Sequence, residues 1–193
     1  MPKSCFFIGH READERLLSR LKDTVERLIT EENVSYFYVG GYGGFDRTAA
    51  HAVIDAKKQY TDITLMLVLP YHPAERPVET PYGFDGTYYP EGLEKVPKQY
   101  AIVRANKIMV NTSDWLVCYV RHGASNSRNL LEYAQRREKK GLIQIQNLAT
   151  VYKGNIIKNL IMDCQSYTKY RPNETTGGIF VSWRRKEELP TGA

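Results

Sequence analysis

Two short glycine-rich segments have the composition of phosphate-binding turns. Gly9-His10-Arg11 follows one apolar run, and Gly40-Gly41-Tyr42-Gly43-Gly44 follows another. Glycines let backbone N–H groups approach an anion closely, and a helix that begins after such a turn presents unpaired N–H donors and a partial positive charge. The residue types therefore predict that a phosphate-bearing ligand is held at these turns.

A third segment, residues 121–128, follows a later apolar run and contains small hydrogen-bonding residues suited to a helix start. Arginines in or beside all three segments can add bidentate contacts to phosphate oxygens. Taken alone, each segment is also explained as a plain turn with solvated charges. The predicted ligand-binding residues are Gly9, His10, Arg11, Gly40, Gly41, Tyr42, Gly43, Gly44, Asp46, Arg47, Gly123, Ser125, Asn126, Ser127 and Arg128.

Better-known phosphate motifs do not fit the second turn. The dinucleotide fingerprint GxGxxG would need a glycine where Asp46 stands, and it would follow the first strand rather than the second. No GxxxxGK[ST] segment occurs, so P-loop ATP hydrolysis is not indicated. The four histidines show no metal-ligand spacing. The sequence therefore predicts neither a metal nor a cofactor.

The elements that must position these turns alternate along the chain. Apolar, β-branched or aromatic runs predict strands, and apolar residues at helical spacing predict helices between them. This alternation predicts an α/β Rossmann-like fold, doubly wound around a mainly parallel sheet of about five or more strands. The carboxyl ends of such strands meet at one sheet edge, where ligands bind. The predicted strands are 3–8, 34–39, 63–69, 115–120 and 142–145, and the predicted helices are 11–30, 45–58, 98–110 and 126–139.

Two stretches interrupt the alternation. Residues 70–97 contain six of the nine prolines and four tyrosines, and a fifth tyrosine, Tyr100, follows shortly after. So long a connection predicts a lid or binding loop, and its tyrosines can stack on a base, form a satellite core or make an oligomer interface. Residues 151–193 are expected to form a C-terminal appendage, a helix at 151–162 and a short strand at 178–183, beyond a nucleotide-binding domain of residues 1–150.

Charge and hydropathy limit the classes of protein. The net charge of +5 is mild, and residues 151–193 account for +3 of it, with seven basic and four acidic side chains. Such an excess suits an anionic ligand or weak nucleic-acid contact rather than a dedicated DNA-binding stripe. No apolar run reaches the roughly 18 residues of a membrane span. We therefore expect a cytoplasmic protein, with Cys5 and Cys118 packed as reduced, small hydrophobic residues.

The same residues resemble the SLOG superfamily of Rossmann-like domains, in particular its small bacterial members. Their opening strand ending in G-H-R resembles residues 6–11, and their turn G-G-x-x-G-x-D-x-x-A is similar to residues 40–49. Their R-N-x-x-M-V-x-x-S-D resembles residues 104–114 with the spacing shifted by one, and a closing Y-A is similar to Tyr133-Ala134. The likeness covers about residues 3–148.

The resemblance implies a pocket for a nucleotide or a nucleotide-derived signal of the ADP-ribose type, in a sensor or binding domain that, by analogy, forms a homo-oligomer. An alternative is the N-glycosidic hydrolysis of the LOG phosphoribohydrolases, with Asp46 and Glu132 as the catalytic carboxylates. Their P-G-G-x-G-T-x-x-E segment is not reproduced at 121–132, which favours binding over cleavage. A second alternative is single-stranded DNA binding, as in the DprA branch. Asp46 can instead cap the second helix.

Overall fold

The computed structural model describes residues 2–11, 17–121 and 125–149, and the backbone of two short strands at 167–169 and 183–185. The chain divides into two compact units, residues 1–150 and 151–193. Among the described residues, no helix is both long and apolar enough to cross a membrane.

The first unit is built on one six-stranded sheet in which every neighbouring pair is parallel. The strand order is β4-β3-β2-β1-β5-β6, so the chain moves outward from β1 in one direction and then resumes on its other side. The doubly wound α/β Rossmann-like fold is therefore confirmed. The strands are β1 (Lys3–Gly9), β2 (Val34–Val39), β3 (Thr64–Val68), β4 (Gly86–Tyr88), β5 (Trp115–Tyr119) and β6 (Gln144–Asn147).

Four helices connect these strands. In the first of them the buried residues Leu17, Leu21, Val25 and Leu28 recur at intervals of three and four, which gives it one apolar face. A 3-10 turn at Lys98–Tyr100 leads into the third helix. The helices are α1 (Leu17–Thr30), α2 (Gly44–Lys57), α3 (Ala101–Thr112) and α4 (Asn126–Glu138).

The long connection 70–97, expected to be a loop, contains a strand that the sequence did not predict, β4. Strand β4 pairs with β3 at the sheet edge, and its sequence Gly-Thr-Tyr has no apolar run that would predict a strand. Asp85, just before it, accepts hydrogen bonds from the Leu65 backbone N–H at 2.7 Å and from Lys57 Nζ at 2.6 Å. Tertiary contacts, rather than local propensity, thus place this strand.

The last strand of the sheet begins two residues later than the sequence predicted. Gly141 has a positive φ of 68° and Leu142 is 52% exposed, so this apolar residue belongs to the turn after α4. Ile143 is buried, and the strand itself is Gln144–Asn147.

Alternate residues of β1 point into two separate cores. Cys5 and Phe7 join the core under α1 and α2, while Phe6 and Ile8 join the core under α3 and α4. Every residue of β5 is buried, as expected for a strand covered on both faces. Cys5 and Cys118 are free and buried. Burial raises the pKa of Cys5 above its usual range and that of Cys118 to about 12, so both thiols stay protonated.

In the second unit, two short antiparallel strands are described, β7 (Tyr167–Lys169) and β8 (Trp183–Arg185), with Tyr167 opposite Arg185. The strand expected at 178–183 shares Trp183 with β8. Residues 178–182, like the helix expected at 151–162 and the first residues of the helix expected from Arg11, lie outside the described part of the chain.

The place where the strand order reverses lies between β1 and β5. Here Gly9, the last residue of β1, comes directly against the ring of Phe45 in α2. A Cβ at Gly9 would lie 2.4 Å from Phe45 Cγ, a distance that packed atoms do not tolerate. The absence of a side chain at Gly9 is therefore what lets the start of α2 approach the end of β1.

We expect Gly9→Ala to destabilise the fold by about 1–3 kcal/mol, because the new methyl group overpacks against Phe45. Gly41→Ala is the matched control, since its Cβ would meet nothing closer than Leu67 Cδ1 at 3.5 Å and its φ is not positive. Urea unfolding of both variants measures the difference. A Gly9→Ala variant as stable as Gly41→Ala would contradict the close approach.

Candidate ligand-binding cleft

A cleft of about 640 Å³ opens at the carboxyl edge of the sheet, at the reversal point between β1 and β5. The end of β1, the glycine turn after β2, the start of α4 and one face of α3 form its walls. Of the residues predicted from the sequence, it brings together Gly9, His10, Arg11, Gly40, Tyr42, Gly43, Asp46, Ser125, Asn126 and Ser127.

The first turn, Gly9-His10-Arg11, connects the other two walls. The carbonyl oxygens of Arg11 and His10 accept hydrogen bonds from the backbone N–H groups of Gly44 at 2.8 Å and of Phe45 at 3.4 Å. His10 Nε2 accepts the backbone N–H of Arg121 at 2.9 Å. The imidazole of His10 is therefore used within the protein, between β1 and the chain that leaves β5.

In the second turn, most backbone N–H groups donate to acceptors within the protein. Asp46, in the first turn of α2, accepts the backbone N–H of Tyr42 at 3.1 Å and that of Gly43. Gly43 is the N-cap of α2, so Asp46 closes the helix start in the manner of a capping box. The N–H groups from Tyr42 to Phe45, which the sequence suggested for an anion, thus have acceptors inside the protein. Asp46 was considered either as a pocket residue or as a helix cap, and this geometry is that of a cap.

Asp46 is nevertheless the titratable group most perturbed by its surroundings in the cleft. Burial raises its pKa to about 6, and the N–H bonds from Tyr42 and Gly43 oppose the rise. A carboxyl group with such a pKa changes charge close to neutrality. The potential at this wall of the cleft therefore depends on pH.

At the start of α4, some backbone donors have no acceptor among the described residues. Ser125 caps the helix by accepting the backbone N–H of Arg128 at 3.1 Å, and the Ser127 hydroxyl donates to the Gly9 carbonyl at 3.3 Å. Within the described residues, the backbone N–H groups of Asn126 and Ser127 have no acceptor. They lie at the positive end of the helix dipole and line the cleft.

Two glycines of the second turn have no structural reason to be glycine. Gly41 and Gly43 do not have a positive φ, and an added Cβ would meet no atom closer than 3.5 Å at Gly41 or 3.6 Å at Gly43. Gly40 differs, since its Cβ would lie 3.0 Å from an oxygen of Asp46. The bare backbone at Gly43 leaves room for a group in the cleft, while Gly41 borders a smaller space beside it.

Several predicted site residues lie elsewhere. Gly41, Gly44, Arg47 and Arg128 do not line the cleft, and Gly123 lies outside the described residues. Arg128 Nε pairs with Glu132 Oε1 at 2.8 Å on the exposed side of α4. Glu132 borders a separate depression on that surface. The structure therefore does not bring Asp46 and Glu132, the two carboxylates considered for hydrolysis, into one cleft.

One wall was missed by sequence reasoning. Gln99, Ile102, Val103 and Asn106 line the cleft from the 3-10 turn and α3. Val103 is 47% exposed although it is apolar, so this face of α3 does not pack into the core. The sequence signal for this wall was an apolar residue, Val103, outside the buried face of its helix. Only the strand order shows which cleft that residue borders.

Among the described residues, no group of three His, Cys, Asp or Glu side chains is arranged to hold a metal ion. The chemistry of the cleft is thus that of backbone donors, hydroxyl and amide groups, one carboxyl group and the exposed cation Arg11.

Comparisons with known proteins bear on the fold. No family model and no curated protein matches the sequence. DNA processing protein A from Streptococcus pneumoniae aligns with a TM-score of 0.53 at 16% identity, over 84% of this chain and 56% of that one. The structure of the same protein from Helicobacter pylori, described for its single-stranded DNA binding mode, aligns with a TM-score of 0.44 at 16% identity, over 84% and 81%.

The chain therefore spans little more than half the length of the Streptococcus pneumoniae protein. The first of these likenesses shows a shared Rossmann-like α/β fold. At 16% identity the likeness is one of fold alone.

The raised pKa of Asp46 predicts a pH-dependent stability. Between its unfolded pKa of 3.8 and its folded pKa of about 6, the folded state binds more protons than the unfolded state, so stability falls as pH rises. We expect Asp46→Asn, which keeps an acceptor oxygen without the charge, to gain stability over the native chain by up to about 3 kcal/mol between pH 4 and 7. Urea unfolding across this range measures it. A stability difference that stays constant with pH would contradict the buried position of Asp46.

Proposed function

We propose that the cleft binds a nucleotide or a nucleotide-derived ligand of the ADP-ribose type, with a phosphate group at the start of α4. The observation that supports this most directly is the pair of backbone N–H donors of Asn126 and Ser127, two cleft-lining residues at a helix N-terminus, for which the described residues offer no acceptor. The exposed side chain of Arg11 borders the same space and supplies a positive charge.

The dimensions of the cleft agree with a small organic ligand. Its volume of about 640 Å³ is within the roughly 300–1,000 Å³ of ordinary ligand pockets. It combines polar groups at the start of α4 with apolar side chains such as Ile102 and Val103 on α3. A ligand with one anionic end and one flat or apolar part suits both walls.

Binding without cleavage is favoured by the arrangement of the carboxylates. Hydrolysis of an N-glycosidic bond needs an acid or base beside the sugar. Asp46 lines the cleft but holds the N–H groups of Tyr42 and Gly43, and Glu132 is ion-paired on another surface. A sensor or binding domain is therefore our first proposal, and a phosphoribohydrolase is the alternative that release of free base from a nucleoside monophosphate would support.

Single-stranded DNA binding is the second alternative. It is supported by the net charge of +5, since the fold likeness to a DNA processing protein by itself speaks only for the fold. A strand of DNA presents the same nucleotide unit as a free nucleotide, so both are included in the binding test. Tight binding of oligothymidylate that persists at moderate salt, with none of free nucleotides, would favour the DNA reading.

We expect Asn126→Asp to weaken the binding of AMP or ADP-ribose at least tenfold. The new carboxylate would stand beside the proposed phosphate, yet an acidic residue in the first turn of a helix stabilises that helix, so loss of folding would not explain the loss of binding. Isothermal titration calorimetry with AMP, ADP-ribose and oligothymidylate measures the affinities, and thermal unfolding monitors the fold.

Asn129→Asp is the matched control. It makes the same change of charge one turn further along α4, on an exposed residue that does not line the cleft. We expect it to change the affinity by no more than about threefold, because its charge lies further from the proposed phosphate and outside the cleft lining. Equal effects of the two substitutions, or absence of any binding by the native chain at millimolar ligand, would count against the proposal.

A further inference from the structure

A second, smaller space adjoins the cleft on the side of β3. Its volume is about 170 Å³, and it shares Tyr42, Val68 and Pro70 with the larger cleft. Tyr42 thus stands between the two spaces, with 47% of its surface exposed. The other walls come from the backbone of Gly41, from Leu67 at the end of β3, and from Tyr71, Arg76 and Val78 in the long connection after it.

The walls of this space are flat, apolar groups with one cation. The guanidinium of Arg76 lies over the ring of Tyr71, with its carbon 5.5 Å from the ring centre. Val78 is apolar and 41% exposed. Within the described part of the chain, Arg76 forms no ion pair, so no carboxylate there neutralises its charge.

We propose that this space is the subsite for the planar base of the nucleotide whose phosphate lies at the start of α4, an inference that rests on the proposed function. A space of about 170 Å³ is too small for a whole nucleotide, which needs a pocket of roughly 300 Å³ or more, but suits one ring system. Tyrosine rings and arginine guanidinium planes are the groups on which bases stack.

Gly41 adds a separate argument. Its backbone borders the space, its φ is not positive, and the nearest atom to an added Cβ would be 3.5 Å away in Leu67. The fold therefore leaves this residue free to carry a side chain. A glycine here keeps the space open for a flat group that lies against the backbone.

The base contribution is measured by comparing ligands that differ only in the base. Calorimetry on the full chain gives the dissociation constants of ribose 5-phosphate and of AMP, GMP, CMP and UMP. We expect at least one of the four nucleotides to bind tenfold or more tightly than ribose 5-phosphate. Arg76→Ala and Gly41→Leu, which remove the cation and fill the space, should abolish this difference while the constant for ribose 5-phosphate changes less than twofold.

Tyr82→Ala is the matched control, because Tyr82 lies in the same connection, is 97% exposed and lines neither space. It should preserve the tenfold difference. Thermal unfolding shows whether each test variant is folded. If one of them does not fold, the affinities of the other test the subsite.

The possible results separate the inference from the proposed function. If ribose 5-phosphate and all four nucleotides bind the native chain equally well, the base subsite is refuted and phosphate binding in the cleft stands. If Arg76→Ala and Gly41→Leu weaken ribose 5-phosphate as much as the nucleotides, the space is not a base subsite. If none of the five compounds binds, both the proposed function and the subsite are refuted.

Discussion

The contact between Gly9 and Phe45 is the constraint on which the geometry of the cleft depends. Because Gly9 has no side chain, α2 begins directly against the end of β1, and the carbonyl oxygens of His10 and Arg11 reach its first N–H groups. These are donors that a helix N-terminus otherwise leaves unsatisfied. The Gly9 carbonyl also accepts the Ser127 hydroxyl at the start of α4. One short turn thus fixes the starts of two helices, and the cleft is the space between them.

This arrangement makes the two helix starts unequal as anion sites. At α2 the donors are taken by backbone carbonyls and by Asp46, whose carboxylate brings a negative charge to the turn. At α4 the cap is a neutral serine, and the N–H groups of Asn126 and Ser127 remain unpaired within the described residues. A glycine-rich sequence before a helix is therefore not sufficient for phosphate binding, since the protein can itself supply the anion.

The fold was largely predictable because its signals are local. Strands such as β5 are buried on both faces and appear as continuous apolar runs, while α1 shows a regular apolar face. Strand β4 was not predictable, since its position depends on Asp85 binding Leu65 and Lys57, twenty or more residues away. The same limit applies to the site. Glycine, serine and arginine residues marked its loops, but sequence could not show that Arg128 turns to Glu132 or that α3 forms a wall.

The long connection after β3 acquires a role from this geometry. Its edge strand β4 pairs with β3, and Tyr71 and Arg76 of the same connection line the smaller space beside the glycine turn. For the proposed base subsite, a tyrosine and an arginine already in contact need less ordering on binding than two separate side chains. Residues 98–106 continue from the same segment into the opposite wall of the cleft. The connection between β3 and α3 thus borders both spaces, which is the position of a segment that contacts a ligand rather than of a plain crossover.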